Sequence, residues 1–493
     1  MERNVKYLVL MLFVVTILFI FMSCSTNKQK TEFKVLLRMM PAQYEYYTQQ
    51  VIPEFEKKYN CKVTVVQFEK MWDIEKILKL EQQKDSANMI GVVKVPFEMT
   101  RDLAKKGYLE SFDNIVGKDT LEQDEAIYYP FALSLGYVDG KLYYFPRKLE
   151  TRILVYLKSK VEDAVKNWQK FKPQIDSILK IENGYGLPKG YTLESDPNKW
   201  DYYDVFVVGY YWANTEYNGV KMPRYAHRAK NYEGTALGLI ERAYRLNATQ
   251  DSIVKLLTKP VVDMYKWEAL YVKYIYNPLM WQEGWSGSGI WNAFKDGKVF
   301  MAEMQQIDCF FLHGWPNSPE MMGYVKNPDD LGFALVPKGV SLELDKDGNP
   351  VYTGTKSITT GGWWWGIPKT AKYKKLSYEF IKFVTSKKIQ AQEVAKYGIL
   401  PVRKDLVFKL PEVFDYGWVG EMFKVSSEQV KTNGTTVVPL IADYPTLAKY
   451  YIDIWYKAVV NVYSKDKSKK INEAEIVNFI KKNYEEKIAK LKK

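Results

Sequence analysis

Histidine and cysteine are nearly missing from this chain. Its 493 residues include two His and three Cys. His227 and His313 stand far apart and no Cys-x-x-Cys occurs, so dedicated transition-metal chemistry has no ligand set and none is expected. Three thiols also exclude a disulfide scaffold. Two imidazoles leave little general-base capacity near neutral pH. Also absent are a Gly-rich phosphate loop ending in Lys-Ser/Thr, a Gly-x-Ser-x-Gly elbow and a His-Glu-x-x-His pair. Gly287-Ser288-Gly289 reads as a flexible turn, without the flanking strand and helix that a phosphate loop needs. No catalytic constellation and no cofactor site emerge, although two distant carboxylates would suffice for glycoside hydrolysis. There is no repeat of fixed period and no low-complexity linker, so two domains must be joined by several short crossings.

What is present is the material of a globular chain: 47% apolar and 26% charged residues. Aromatic residues reach 15%, with 38 Tyr and 14 Trp, a supply that suits stacking on flat ligand faces and equally reflects overall composition. The 71 Lys and Arg against 58 Asp and Glu give +13, spread along the chain rather than gathered into a basic stripe, so nucleic acid is not the expected partner. The densest basic run, 465–493, places Ile471, Ile476, Phe479, Ile480, Tyr484 and Ile488 on one face of a predicted amphipathic surface helix.

The N-terminus has the form of a secretion signal. Arg3 and Lys6 precede an apolar run over 7–22, broken only by Thr16 and too short for a spanning helix of about 20 residues. The run ends at Ser23-Cys24 before polar residues, which predicts a signal peptide over 1–23. The junction resembles a bacterial lipobox, with Phe21 and Met22 where Leu and a small residue are usual, and implies lipidation of Cys24. Secretion without lipid and a retained anchor stay open. Cys61 and Cys309 are then expected as unpaired, buried thiols.

Phe33-Lys34-Val35-Leu36-Leu37 reads as a strand, 44–59 as a helix and Lys62-Val63-Thr64-Val65-Val66 as a second strand, a βαβ unit that starts a parallel sheet. A helix over 74–83 and a strand over 88–93 continue the alternation, which predicts ligand binding beyond the carboxyl ends of the strands. Asp139-Gly140 is a turn signal, Ile153-Leu154-Val155-Tyr156-Leu157 a strand, 338–360 a polar, Gly-bearing stretch compatible with a hairpin and 376–392 a helix. The most unusual segment is Gly361-Gly362-Trp363-Trp364-Trp365-Gly366. As a strand it puts Trp363 and Trp365 on one face and Trp364 on the other, and the paired glycines admit close approach of a ligand.

The pieces fall in the order of a known family. Val51-Ile52-Pro53-Glu54-Phe55-Glu56-Lys57-Lys58-Tyr59, Gly107-Tyr108-Leu109-Glu110-Ser111-Phe112-Asp113, Asp139-Gly140-Lys141-Leu142-Tyr143 and Ala293-Phe294-Lys295-Asp296-Gly297-Lys298-Val299-Phe300-Met301 are followed by Gly332-Phe333-Ala334-Leu335-Val336-Pro337, Gly361-Gly362-Trp363, Tyr378-Glu379-Phe380-Ile381-Lys382-Phe383-Val384 and Gly398-Ile399-Leu400-Pro401-Val402-Arg403. Together they resemble the bacterial extracellular solute-binding proteins of carbohydrate importers powered by an ATP-binding cassette, the maltose-binding-protein-like family. The resemblance implies an α/β, two-lobed periplasmic-binding-protein fold of type II with the ligand cleft between lobes joined by hinge crossings. The first lobe is expected at 31–150 with 358–415, and the second at 151–357 with 416–493. It further implies a monomer, not an enzyme, that works outside the cytoplasm, takes a small polar solute such as an oligosaccharide, needs no cofactor, meets importer permease subunits and is held to a bacterial membrane by its lipid. A surface carbohydrate-active enzyme and an adhesin-like lipoprotein are the alternative classes.

Candidate contacts sit at strand ends: Gln43 and Tyr44 after the first strand, Lys94 and Phe97 after the third, Trp212, Trp285, Glu303 and Gln305 in the second lobe, and Gly362 and Trp363 on the returning strand. Rings would stack on sugar faces, and Gln, Glu and Lys would bond hydroxyls. For Lys94 an ordinary surface position is the competing reading. The stacking Trp that the family usually carries after its A-M segment is replaced by Gln305-Gln306-Ile307-Asp308, with Trp285, Trp291 or Trp212 as substitutes.

Overall fold

A computed structural model describes residues 30–83, 89–314, 323–407, 409, 417–432, 437–441 and 443–491. The predicted signal peptide and Cys24 lie outside the described residues. The strands are β1 Thr31–Leu37, β2 Cys61–Gln67, β3 Ile90–Pro96, β4 Tyr137–Val138, β5 Lys141–Leu142, β6 Tyr144–Glu150, β7 Arg152–Leu157, β8 Tyr225–Ala226, β9 Met301–Gln305, β10 Leu331–Ala334 and β11 Gly361–Gly366. They form a five-stranded sheet in the order β2-β1-β3-β11-β6, a four-stranded sheet in the order β10-β7-β9-β8, and the β4-β5 hairpin.

The first sheet follows from its sequence. β1 pairs in parallel with β2 and β3, as a strand-helix-strand run demands, and β11 returns antiparallel between β3 and β6. β3 is central and buried along its whole length, including Lys94. It runs past the expected end at 93 to Pro96, because the buried run continues through Val95; position 88 lies outside the described residues. Asp139 and Gly140, both at positive φ, make the two-residue β4-β5 turn, where L-residues other than Asn, Asp and Gly are strained.

The first predicted helix is longer and less regular than its periodicity suggests: Pro41–Tyr46 and Ile52–Tyr59 are α-helical, and Tyr47–Val51 between them is a π turn. Pro53 explains the widening. It has no N–H for the carbonyl of Gln49, and its ring would crowd that oxygen in a regular helix. The expected helix over 376–392 is two helices, Lys374–Val384 and Lys387–Tyr397. The break falls where the Thr385 hydroxyl bonds the Ile381 carbonyl and Ser386 turns extended to cap the second helix. The stretch 338–360 is an arch with isolated antiparallel bridges, Val340 to Thr353 and Leu344 to Pro350, rather than a hairpin of strands. The C-terminal helix Glu473–Ala489 buries Ile476, Ile480 and Tyr484. Cys61 and Cys309 are free and buried. Among the described residues no helix is long and apolar enough to cross a membrane.

The sheets are joined at close quarters. β6 ends at Glu150 and β7 begins at Arg152, so Thr151 alone separates a strand of one sheet from a strand of the other. The chain returns through 358–361, where the Thr359 amide and hydroxyl both donate to Glu241 Oε1, at 3.1 and 2.7 Å.

Candidate functional site

A cleft of about 500 Å³ lies where the two sheets face each other. The first sheet supplies Arg38 and Gln43 from the segment after β1, Lys94 from β3, Lys148 and Glu150 from β6, and Trp363 from β11. Opposite stand Gln305 at the end of β9, Asp308 just beyond it, Arg228, Tyr232, and Trp291 on the helix Gly287–Lys295. The carboxyl ends of β1, β3, β6 and β9 open into this space, with the amino end of antiparallel β11 beside them.

A polar rail crosses the cleft floor. Lys148 pairs with Glu150 at 2.6 Å, Gln305 Nε2 donates to Glu150 at 3.0 Å, and Arg228 donates to Gln305 Oε1 at 3.1 Å and to Asp308 at 2.8 Å. Burial raises the Glu150 carboxyl, but Lys148 and then Lys94 and Arg152 override it and hold it down at about 2. Glu98, nearby, goes the other way: burial pushes it up to about 7.

Two rings frame opposite walls. Trp363 is half-buried, with the Lys94 ammonium 4.3 Å from its ring centroid. Across the cleft Trp291 stacks on Phe311, centroids 4.0 Å apart and planes 11° from parallel, and its Nε1 donates to Asp308 at 3.1 Å. Past Trp363 the cleft narrows into a continuation lined by Glu98, Arg152, Leu237 and Gly362, and then reaches a surface groove between Trp72 and Ile452.

Of the candidates read from sequence, Gln43, Lys94, Gln305 and Trp363 line the cleft and Gly362 lines its continuation. Lys94 is no surface residue: at 2% exposure it is enclosed because β3 is covered on both faces. Tyr44 turns aside to pack against the core. Phe97 is buried against Trp364, 5.3 Å between centroids. Trp212 is buried edge-on to Phe300, 5.7 Å away, and spends its Nε1 proton on the Lys160 carbonyl. Trp285 is buried over Gly289, with Nε1 bonded to Glu283, and borders a separate surface hollow. Glu303 is clamped inside the second sheet by Arg245 and Arg242. These five are corrected as cleft residues: each satisfies its apolar surface or polar atoms within a lobe. Gly287-Ser288-Gly289 is likewise no flexible turn but the first turn of the Gly287–Lys295 helix.

Of the three substitutes for the missing ring, Trp291 is the one that lines the cleft. Sequence reading passed over Arg38, Lys148, Glu150, Arg228 and Asp308. For Lys148 and Glu150 the alternation of β6 is a usable signal; Arg38 and Arg228 lie in loops without one.

Residues 50–414 match the family described as bacterial extracellular solute-binding protein. Solved structures share the architecture. The GacH receptor of Streptomyces glaucescens, solved unliganded and with acarbose, is 21% identical, with 92% of this chain and 98% of that one covered at a TM-score of 0.63. A solute-binding protein of an ABC transporter from Thermotoga lettingae, bound with α-D-tagatose, is 17% identical over 94% of this chain and 100% of that one, TM-score 0.63. An ABC substrate-binding protein from Listeria monocytogenes in complex with cycloalternan is 14% identical over 94% and 98%, TM-score 0.63. At these identities the likeness establishes the fold, two α/β lobes around a central cleft.

Proposed function

The chain belongs to the bacterial extracellular solute-binding proteins, which act outside the cytoplasm, and on that premise we propose that it captures a carbohydrate in the cleft between Trp363 and Trp291 and delivers it, chemically unchanged, to an ABC importer. The observation that carries this reading is the placement of two rings on opposite walls with a polar floor between them. A saccharide has weakly polar faces that stack and an equator of hydroxyls that need partners, and this arrangement supplies both. The relatives solved with acarbose, tagatose and cycloalternan favour the same class of solute.

The lobes are assigned to 31–150 with 358–415 and to 151–357 with 416–493, hinged at Thr151 and 358–361. A solute touching both walls binds the closed arrangement better than the open one, and only that difference shifts the population toward closure. The closed surface is then what the permease subunits recognise, and acylated Cys24 keeps the monomer beside them.

A thermal-shift screen of neutral and charged oligosaccharides, monosaccharides, polyols and peptides tests the reading. A ligand that binds only the folded state stabilises it by RT ln(1 + [L]/Kd), about 2.7 kcal/mol at a hundredfold excess over Kd. The expected result is stabilisation by a saccharide, compaction in small-angle scattering, and recovery of the compound intact. A shift produced by peptides alone, or hydrolysis of the sugar, overturns it.

A further inference from the structure

The charges lining the cleft do not cancel. Lys148 is paired with Glu150, and Arg228 with Asp308. That leaves Arg38 and Lys94 without an ion pair among the described residues, against Glu233; Arg38 and Glu233 also both line the narrower continuation, together with Glu98. Lys94 is the more telling of the two. It is 2% exposed, its ammonium donates to the Arg38 carbonyl and lies over the Trp363 ring, and its charged neighbours in the first lobe include Arg147 and Lys148. Burial, with Arg147 and Lys148 adding to it, lowers its affinity for the proton, while Glu150 and Glu393 oppose this. A buried cation with no carboxylate in ion-pair contact is unfavourable in the free protein and is relieved by an anion that enters the site.

Two further features face the same space. Gln43, 3% exposed, has an Nε2 with no hydrogen-bond partner, a donor held ready in the wall of the cleft. Across from it the helix Gly287–Lys295 opens onto the cleft through Ser286, Gly287 and Ser288, and its first turn contains no acidic residue. The positive end of the helix dipole favours negative charge there, and Asp308, whose Oδ1 lies against Gly287, supplies part of it.

The geometry points to an acidic saccharide as the solute, one whose ring stacks on Trp363 while its anionic substituent, a carboxylate or a sulfate ester, is received by Lys94, Arg38 and Gln43. This rests on the carbohydrate reading above and narrows it. A neutral sugar would fill the stacking surfaces but leave Lys94 buried without an ion-pair partner.

Isothermal titration of the secreted protein with matched pairs tests it: an oligogalacturonate against the same chain methyl-esterified, and a sulfated galactan oligomer against its desulfated form. The expected result is that at least one acidic member binds about tenfold or more tightly than its neutral partner. Which pair responds tells a carboxylate from a sulfate. Lys94→Met, and separately the exposed Arg38→Gln in case the first variant fails to fold, should bring the acid-to-neutral ratio close to one. Neutral members binding as well as acidic ones, or a ratio unmoved in both variants, overturns the acidic solute while leaving carbohydrate capture standing. No binding by any sugar, with stabilisation by peptides instead, overturns both.

Discussion

Lys94 and Trp363 come from neighbouring strands, β3 and β11, and meet with the ammonium 4.3 Å from the ring centroid. The ring therefore has two tasks. It covers a buried cation and lines the cleft, with the Phe68 ring 6.4 Å from it, whereas the next tryptophan along, Trp364, is fully buried against Phe97. Cation and ring attract by about 0.5–2 kcal/mol, more as water is excluded.

Removing that ring should be felt in binding before it is felt in folding. Trp363 is half-buried at the mouth of the sheet, whereas Trp364 and Trp365 are in the core. Trp363→Ala is expected to weaken the best saccharide about tenfold or more, since a stacked ring gives about 0.5–1.5 kcal/mol beyond its buried area and about 1.4 kcal/mol is a factor of ten. Cooperative unfolding and native circular dichroism should persist. An unchanged Kd would move the site away from this wall.

The lipid anchor is checked in cells. Cys24→Ser should release the protein from the membrane fraction, because the thiol is the acyl acceptor that the Ser23-Cys24 junction implies. If the variant sediments with membranes as the parent does, the anchor is elsewhere.

Much of the fold was legible because burial leaves a period in the sequence. β1, β2 and β7 were readable to within a residue or two from their apolar runs, and the parallel start of the first sheet followed from the helix between β1 and β2. The π turn before Pro53 was not, since periodicity counts apolar faces and not missing amide protons. At the site, family order found the segments but not the direction in which their side chains point. Glu303 and Gln305 share a face of β9, yet two residues separate an ion-paired core carboxylate from a cleft amide. Lys94 did leave a trace: one cation inside the otherwise apolar run Ile90-Gly91-Val92-Val93-Lys94-Val95-Pro96 marks a charge that a buried strand would exclude unless the site needs it.

Glu303 predicts how the second lobe responds to acid. Arg245 grips it with two bonds, 2.7 and 3.0 Å, Tyr225 donates at 3.0 Å, and Arg242 lies 3.3 Å away. Burial alone would raise its carboxyl, but Arg242 and Arg245 override that and hold it well below the usual carboxylate range. A folded-state value below the unfolded one, about 4.3, means that the stabilisation is complete above that pH and is lost as pH falls toward the folded value. Glu303→Gln leaves buried Arg245 without its carboxylate and Arg242 with Glu268 alone, so it should cost about 3–5 kcal/mol at pH 7. The gap between variant and parent should shrink in denaturant titrations at pH 3. A gap of the same size at both values would show that the carboxylate is not the source.

Gln43 separates a residue kept for the ligand from one kept for the fold. Its Nε2 is buried without a partner, an arrangement that burdens the free protein by about 1–3 kcal/mol. Replacing an unsatisfied polar group by an apolar one of similar shape relieves that burden, so Gln43→Leu should melt at the same temperature as the parent or higher. The same change removes a donor from the cleft wall, and a lost hydrogen bond to a charged group is worth about 1.5–3 kcal/mol, so affinity for the bound saccharide should fall about tenfold or more. Stability and affinity then move in opposite directions, which a residue of purely structural value would not do. Scanning calorimetry of the free protein beside titration calorimetry with the ligand reads both. A lower melting temperature with an unchanged Kd would make Gln43 a packing residue and take it out of the site.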